Sequence, residues 1–281
     1  MIPPIPIENS PIQVEFELSS TVFQGKGGTV TGSLGGQATI APFSGGQVVG
    51  GMISFTAPKA GIFPLILTYS EPSAPNIAQG SHPLPVAARF LVQLDSCTIN
   101  RTRALQNDTD FAAISACTDR DPPQSQSKFL GDLQSGNTAH PIGLTLGPFD
   151  IVPGSQDALC FSFTIINSGF AGSAQQKTQD ALNKISDATK EALDKQYPAL
   201  AIIWTVVNKI TQFLNGIFAA NCDGLVAGDK VILTSVDLDQ KTTTSGRYIN
   251  PPAMYPGSPS NPGCGATSEY VVNWSVVRTS H

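Results

Sequence analysis

Residues 12–18 read Ile-Gln-Val-Glu-Phe-Glu-Leu, and residues 159–165 repeat the same alternation with Leu159, Phe161, Phe163 and Ile165 separated by Cys160, Ser162 and Thr164. A side chain returning to one face at every second position belongs to a pleated strand, whereas helical faces return every 3.6 residues. Ile12, Val14, Phe16 and Leu18 are therefore expected in a core, with Gln13, Glu15 and Glu17 in solvent. The same class follows from charge. Only 13 % of residues are charged, about half the share in ordinary soluble domains. An all-helical protein needs Lys, Glu and Arg on its outer faces, and a disordered chain needs high charge with few aliphatics. What remains is a β-rich protein surfaced by Ser, Thr, Gly, Asn and Gln.

At 281 residues the chain is long enough for about two domains. In the first, expected over residues 1–95, strands are read at 12–18, 47–56, 62–69 and 86–95. A tight turn at Lys59-Ala60-Gly61 joins the second and third. Residues 71–85 carry four prolines and no periodicity, and read as a loop. This spacing suits a Greek-key β-sandwich, Ig-like or jelly-roll. The second domain, 96–281, continues with strand pieces at 144–146, 149–151, 159–165, 230–238 and 270–277. Between them the period changes. Ser173 and Gln176 match a capping box. Ala181, Ile185, Ala188 and Ala192 recur at helical spacing, and Pro198 opens a second, apolar segment to Ala220. The expected fold is mainly β: two β-sandwiches, the second carrying an α-helical hairpin inserted at about 173–221.

The run from Gly51 to Tyr69, Gly-Met-Ile-Ser-Phe-Thr-Ala-Pro-Lys-Ala-Gly-Ile-Phe-Pro-Leu-Ile-Leu-Thr-Tyr, resembles a segment of carbohydrate-binding-module jelly rolls. Those pair a strand, a Pro-x-x-Gly-type turn and an apolar strand ending in Tyr. The resemblance implies a sugar-binding or adhesive role. Sugar platforms use exposed aromatic faces, and the chain departs from such modules in having few aromatics. Trp204 and Trp274 fall in apolar patterns and read as core. Tyr248 and Tyr255 flank a loop rich in Pro and Asn, and are the platform candidates.

Acidic pairs recur at Asp108-Thr-Asp110, Asp119-Arg-Asp121 and Asp237-Leu-Asp239, all read as loops. Two carboxylates at i, i+2 on a loop can turn toward one hard cation, and Ca²⁺ takes 6–8 oxygen ligands. The spacing resembles that of C2-type sandwiches. Calcium is the cofactor this reading implies, with Asp108, Asp110, Asp119 and Asp121 as its ligands. The competing reading is that Asp favours turns for its own hydrogen bonds.

Other chemistries are disfavoured. The 16 Lys and Arg are scattered in a chain of net charge −5, so no clustered cations stand ready to neutralise nucleic-acid phosphates. There is no G-x-S-x-G elbow, H-E-x-x-H or phosphate-binding loop, and a non-enzymatic protein is expected. Five cysteines include no C-x-x-C. If the protein is exported, Cys222 and Cys264, each in a Gly-rich turn, are the first disulfide expected, with Cys97 and Cys117 the second choice of pair and Cys160 the free thiol. The competing reading is five buried reduced thiols. The N-terminal Met-Ile-Pro-Pro-Ile-Pro-Ile-Glu does not read as a signal peptide. An extracellular or cell-surface location therefore implies a leader already removed or an unusual export route, and a cytoplasmic one stays open. Three functions fit: a lectin-like or adhesive protein binding glycans with calcium, a membrane-active protein using the hairpin, or a structural coat component. A homo-oligomer is compatible with each.

Overall fold

The computed structural model describes residues 5–18, 27–43, 49–71, 74–104, 107–167, 224–243, 245–257 and 267–279. The protein is mainly β, with fifteen strands and one helix among the described residues. The hairpin expected at 173–221 lies outside them. Contacts divide the chain into two compact units, one over 1–89 and 150–155, the other over 90–149 and 156–279.

In the first unit, β1 (Pro11–Leu18) pairs antiparallel with β4 (Val49–Thr56). A second sheet has the order β3-β2-β5-β6, formed by β2 (Gly28–Leu34), β3 (Gln37–Phe43), β5 (Gly61–Glu71) and β6 (Ala74–Val86). One core joins Ile12 and Phe16 of β1 and Ile53 and Phe55 of β4 to Val30, Leu34, Leu65 and Tyr69 of the other sheet. The alternation in 12–18 gives the strand expected of it, with Val14 half-buried. Two glycines let the packing close. A Cβ on Gly51 would sit 2.7 Å from the Phe16 ring, and one on Gly32 2.6 Å from Phe55.

The short turn before Gly61 joins β4 to β5 as expected, and it carries the chain from one sheet to the other, because β4 pairs with β1 while β5 pairs with β2 and β6. One expectation fails here: the proline-rich stretch 71–85 is largely strand rather than loop. Pro83 and Pro85 lie in β6 opposite Pro64 and Ile62. β6 ends its sheet, and an edge strand tolerates a residue that cannot donate on its open side.

The second unit is a β-sandwich. One sheet has the order β10-β7-β15-β13, with β14 also on β15. Its strands are β7 (Ala88–Arg101), β10 (Ala139–Ile151), β13 (Arg247–Ile249), β14 (Ala253–Pro256) and β15 (Glu269–Thr279). The other has the order β12-β11-β8-β9, with β8 (Asp108–Thr118), β9 (Gln124–Leu133), β11 (Ala158–Asn167) and β12 (Gly224–Thr234). Phe161 on β11 meets Trp274 on β15 edge to face at 4.8 Å, and Phe163 meets Tyr255 at 5.4 Å. These rings join the two inner faces. β11 and β12 are antiparallel neighbours with Asn167 opposite Gly224.

The strand expected over 230–238 stops at Thr234 and turns into α1 (Ser235–Thr242). Thr234 caps it: its Oγ1 accepts from Asp237 N at 3.1 Å, and Asp237 Oδ2 accepts from Thr234 N at 3.1 Å. This reciprocal pair satisfies two N–H groups the first turn would leave open. Thr234 Oγ1 also donates to Asp237 Oδ2 at 2.6 Å, and this bond, then the one from Thr234 N, holds the Asp237 carboxyl below its ordinary range.

One edge of the sandwich is closed by side chains. Gln124, Gln126 and Lys128 point the same way from β9. Gln124 Oε1 accepts from Gly147 N at 2.9 Å, Gln126 Oε1 from Thr145 N at 3.4 Å, and Lys128 Nζ donates to Ile142 O at 2.7 Å. They occupy backbone groups on the outer edge of β10 that could otherwise pair with another chain. Replacing Gln124 and Gln126 together by Ala should cost about 2 kcal/mol, at roughly 1 kcal/mol per lost hydrogen bond. Urea denaturation reads that loss, and light scattering should report increased association.

Candidate functional site

The aspartates expected to share a cation do not come together. Asp108 and Asp110 begin β8, not a loop, and both are fully buried. Asp119 and Asp121 follow its other end. Nine residues of strand at about 3.4 Å each put the two pairs roughly 30 Å apart along β8. Asp237 and Asp239 lie on α1, where Asp237 caps the first turn and Asp239 pairs with Arg278 at 2.9 Å. Among the described residues no three His, Cys, Asp or Glu side chains form a group that could hold a metal ion.

Asp108 is surrounded by donors. Its Oδ2 accepts from Arg103 N at 2.7 Å and Tyr270 Oη at 2.8 Å, and its Oδ1 from Ala104 N at 2.7 Å and from Asn167 Nδ2. The lone pairs a cation would need are taken. Tyr270 Oη also lies 2.7 Å from Asp110 Oδ2, and its single proton cannot serve both carboxyls. Burial pushes the Asp110 carboxyl well above its ordinary range, more than the Tyr270 hydrogen bond lowers it. A protonated Asp110 donating to Tyr270, which donates to Asp108, satisfies the chain with one proton per link. Burial and the two carboxyls likewise push the Tyr270 phenol up. Asp110 Oδ1 has no hydrogen-bond partner among the described residues. This cluster ties β8 and β11 of one sheet to β15 of the other, which is a structural task.

At the far end Asp121 Oδ2 accepts from Thr118 Oγ1 at 3.0 Å, and Asp157 holds Arg120 at 3.1 Å. Burial, then the Asp157 charge, raises the Asp119 carboxyl, which Arg120 partly offsets.

The tyrosines expected as a sugar platform face the sandwich interior. Tyr248 stands opposite Val276 and Tyr255 opposite Tyr270, and both partners are buried. The Tyr248 ring meets Trp274 at 5.7 Å and carries Lys241 Nζ 4.5 Å from its centroid. Tyr255 packs edge-on to Phe163 and donates to Asp229 Oδ2 at 3.0 Å. Burial, then the Asp229 charge, pushes its phenol up to about 12. Neither ring is a free, outward stacking face.

The outward face of the β10-β7-β15-β13 sheet carries the polar groups instead. On β15 the core-facing side chains are Tyr270, Val272, Trp274 and Val276, so by alternation Asn273 and Ser275 lie on the opposite face, where Asn273 is half-buried and Ser275 is fully covered. Arg247 Nη2 donates to Asp95 Oδ1 at 2.9 Å and to Ser275 Oγ at 2.8 Å, and Ser275 Oγ lies 3.4 Å from Gln93 Oε1. Asn273 Nδ2 donates to Ser96 Oγ at 3.1 Å. The burial alternation of β7 slips by one at Asp95-Ser96, leaving both half-buried and available to this row. Ile249 and Met254, 61 % and 59 % exposed, stand opposite Ser275 and Val271 and share the face. Arg101 closes one end on Glu269 at 2.6 Å. Sequence reading missed this face because its members come from β7, β13 and β15, far apart in the chain. The only local signal was the polar residues alternating with apolar ones along the last strand.

Cys97, Cys117 and Cys160 are buried free thiols. Cys222 and Cys264 lie outside the described residues. Cys97 with Cys117 is not a pair. Cys97 is on β7, where burial, then the charge of Asp110, raises its thiol, while Cys117 sits on β8 at the end away from Asp110. Cys160 is not isolated, because it stands directly opposite Cys117. No helix among the described residues is long and apolar enough to cross a membrane.

No protein-family model matches the sequence, and no curated protein matches it. Among solved structures, the chain aligns with the paired C2 domains of an extended synaptotagmin at 8 % identity and a TM-score of 0.24, covering 100 % of this chain and 96 % of that one. That score is too low to indicate a shared fold.

Proposed function

We propose that the chain is a non-enzymatic binding protein, lectin-like or adhesive, that takes a glycan on the outward face of the β10-β7-β15-β13 sheet. The observation behind this reading is that the buried Ser275 hydroxyl anchors Arg247 and Gln93 from beneath, with Arg247 also held by Asp95 and Asn273 by Ser96 beside them. The guanidinium donates, the carboxylate accepts and the amides do both, which between them matches the donors and acceptors of sugar hydroxyls. Each is held in place by its neighbour, so little order is lost on binding. Ile249 and Met254 add apolar area suited to the C–H face of a sugar ring. An extracellular or cell-surface location goes with such a ligand.

Calcium is not needed by this reading. A glycan array probed with the full chain, once in calcium and once in chelator, tests it. Binding to one glycan class under both conditions is the expected result. An array without signal under either condition overturns the reading. Signal in calcium alone overturns the assignment of recognition to side chains of this face acting without a metal.

A further inference from the structure

Cys160 on β11 and Cys117 on β8 are register partners in an antiparallel pair, and both belong to one small apolar cluster with Ala158 and Ile232. Directly opposed residues of an antiparallel pair have Cα atoms about 4.5 or 5.5 Å apart, depending on whether the site is hydrogen-bonded. Both values fall within the roughly 4.4–6.8 Å that a disulfide spans. Their side chains leave the same face of the sheet, so both sulfurs are on one side. We propose that Cys117 and Cys160 are an oxidation site, forming a cross-strand disulfide that links the two central strands of the β12-β11-β8-β9 sheet.

The reaction is thiol–disulfide exchange with a low-molecular-weight disulfide as oxidant. One cysteine thiolate attacks that disulfide and expels one small thiol. The second cysteine then attacks the mixed disulfide and expels the other. The protein loses two protons and two electrons and gains one S–S bond, and the oxidant becomes two thiols. Exchange requires the thiolate. Burial pushes the Cys117 thiol up to about 11 and raises that of Cys160 as well, each also feeling Asp119. The bond therefore forms as the chain folds, before the cluster closes. The folded reduced protein reacts slowly. Once formed, the bond is shielded from exchange by the same burial.

The test is to unfold and reduce the full chain, refold it with reduced and oxidised glutathione, block free thiols by alkylation and digest with trypsin. Cleavage after Arg103, Arg120, Lys128 and Lys177 leaves Cys117 in peptide 104–120 and Cys160 in peptide 129–177, each with no other cysteine. The expected result is a 104–120/129–177 cross-linked species that reductant removes. The oxidised chain should also show a higher denaturation midpoint than the reduced one. In Cys117→Ser any such increment from this bond is lost. Recovery of Cys117 and Cys160 only as separately alkylated peptides, or linked to Cys97, Cys222 or Cys264, overturns the proposal.

Discussion

Tyr270→Phe should destabilise the protein by about 3 kcal/mol, because it leaves two fully buried carboxyl groups short of the hydroxyl that joins them. Equilibrium urea denaturation measures the loss, and a change under about 0.5 kcal/mol, the range of ordinary surface substitutions, would contradict the network. The same cluster makes stability depend on pH. The Asp110 carboxyl is raised in the folded state, whereas an unfolded Asp titrates near 3.9. Between those two values the native chain holds a proton that the unfolded chain has released. The stabilising contribution of this group is therefore complete below about pH 4 and declines as pH rises through the folded value. Asp110→Asn, whose amide still donates to Tyr270, should remove that decline. Its urea midpoint should fall less from pH 4 upward than that of the natural chain, and parallel curves would show that Asp110 is not the group responsible.

Phe161→Ala should cost about 3–5 kcal/mol, the range for emptying a buried aromatic site. Phe161 is buried and meets Trp274 across the sandwich, so the variant loses a ring-edge contact as well as apolar burial. The void opens between two sheets, where neither backbone can collapse without breaking its ladder. Trp274 is also a reporter: its fluorescence should shift as the variant unfolds at lower denaturant. A loss below about 1 kcal/mol would mean that the two sheets do not meet at these rings.

What the sequence revealed and what it hid have one cause. Ile12 to Leu18 and Leu159 to Ile165 announce themselves because a strand with one buried face must alternate, and both segments are strands. β6 was hidden because its prolines are tolerated only by an edge position, and edge or centre is decided by pairing partners elsewhere in the chain. The aspartate pairs misled for a related reason. Asp-x-Asp is compatible with a loop, and burial of Asp108 and Asp110 depends on partners that arrive from elsewhere in the chain, Tyr270 from the last strand and Asn167 from β11. Tyr255 could be placed beside Pro and Asn by sequence, but not turned inward toward Phe163. Likewise the row from Gln93 to Arg247 exists only once β7, β15 and β13 lie side by side.

That row is the centre of the functional account, and one paired measurement tests it. Arg247 is 43 % exposed and its ion pair with Asp95 is a surface one, worth at most about 1 kcal/mol of stability. Arg247→Ala combined with Asn273→Ala should therefore stay folded, with a denaturation midpoint close to that of the natural chain. Probed side by side on one glycan array, the natural chain should bind and the double variant should lose at least about tenfold, the equivalent of 1.4 kcal/mol. Equal binding by the two proteins, with both folded, would contradict the assignment of this face as the binding surface.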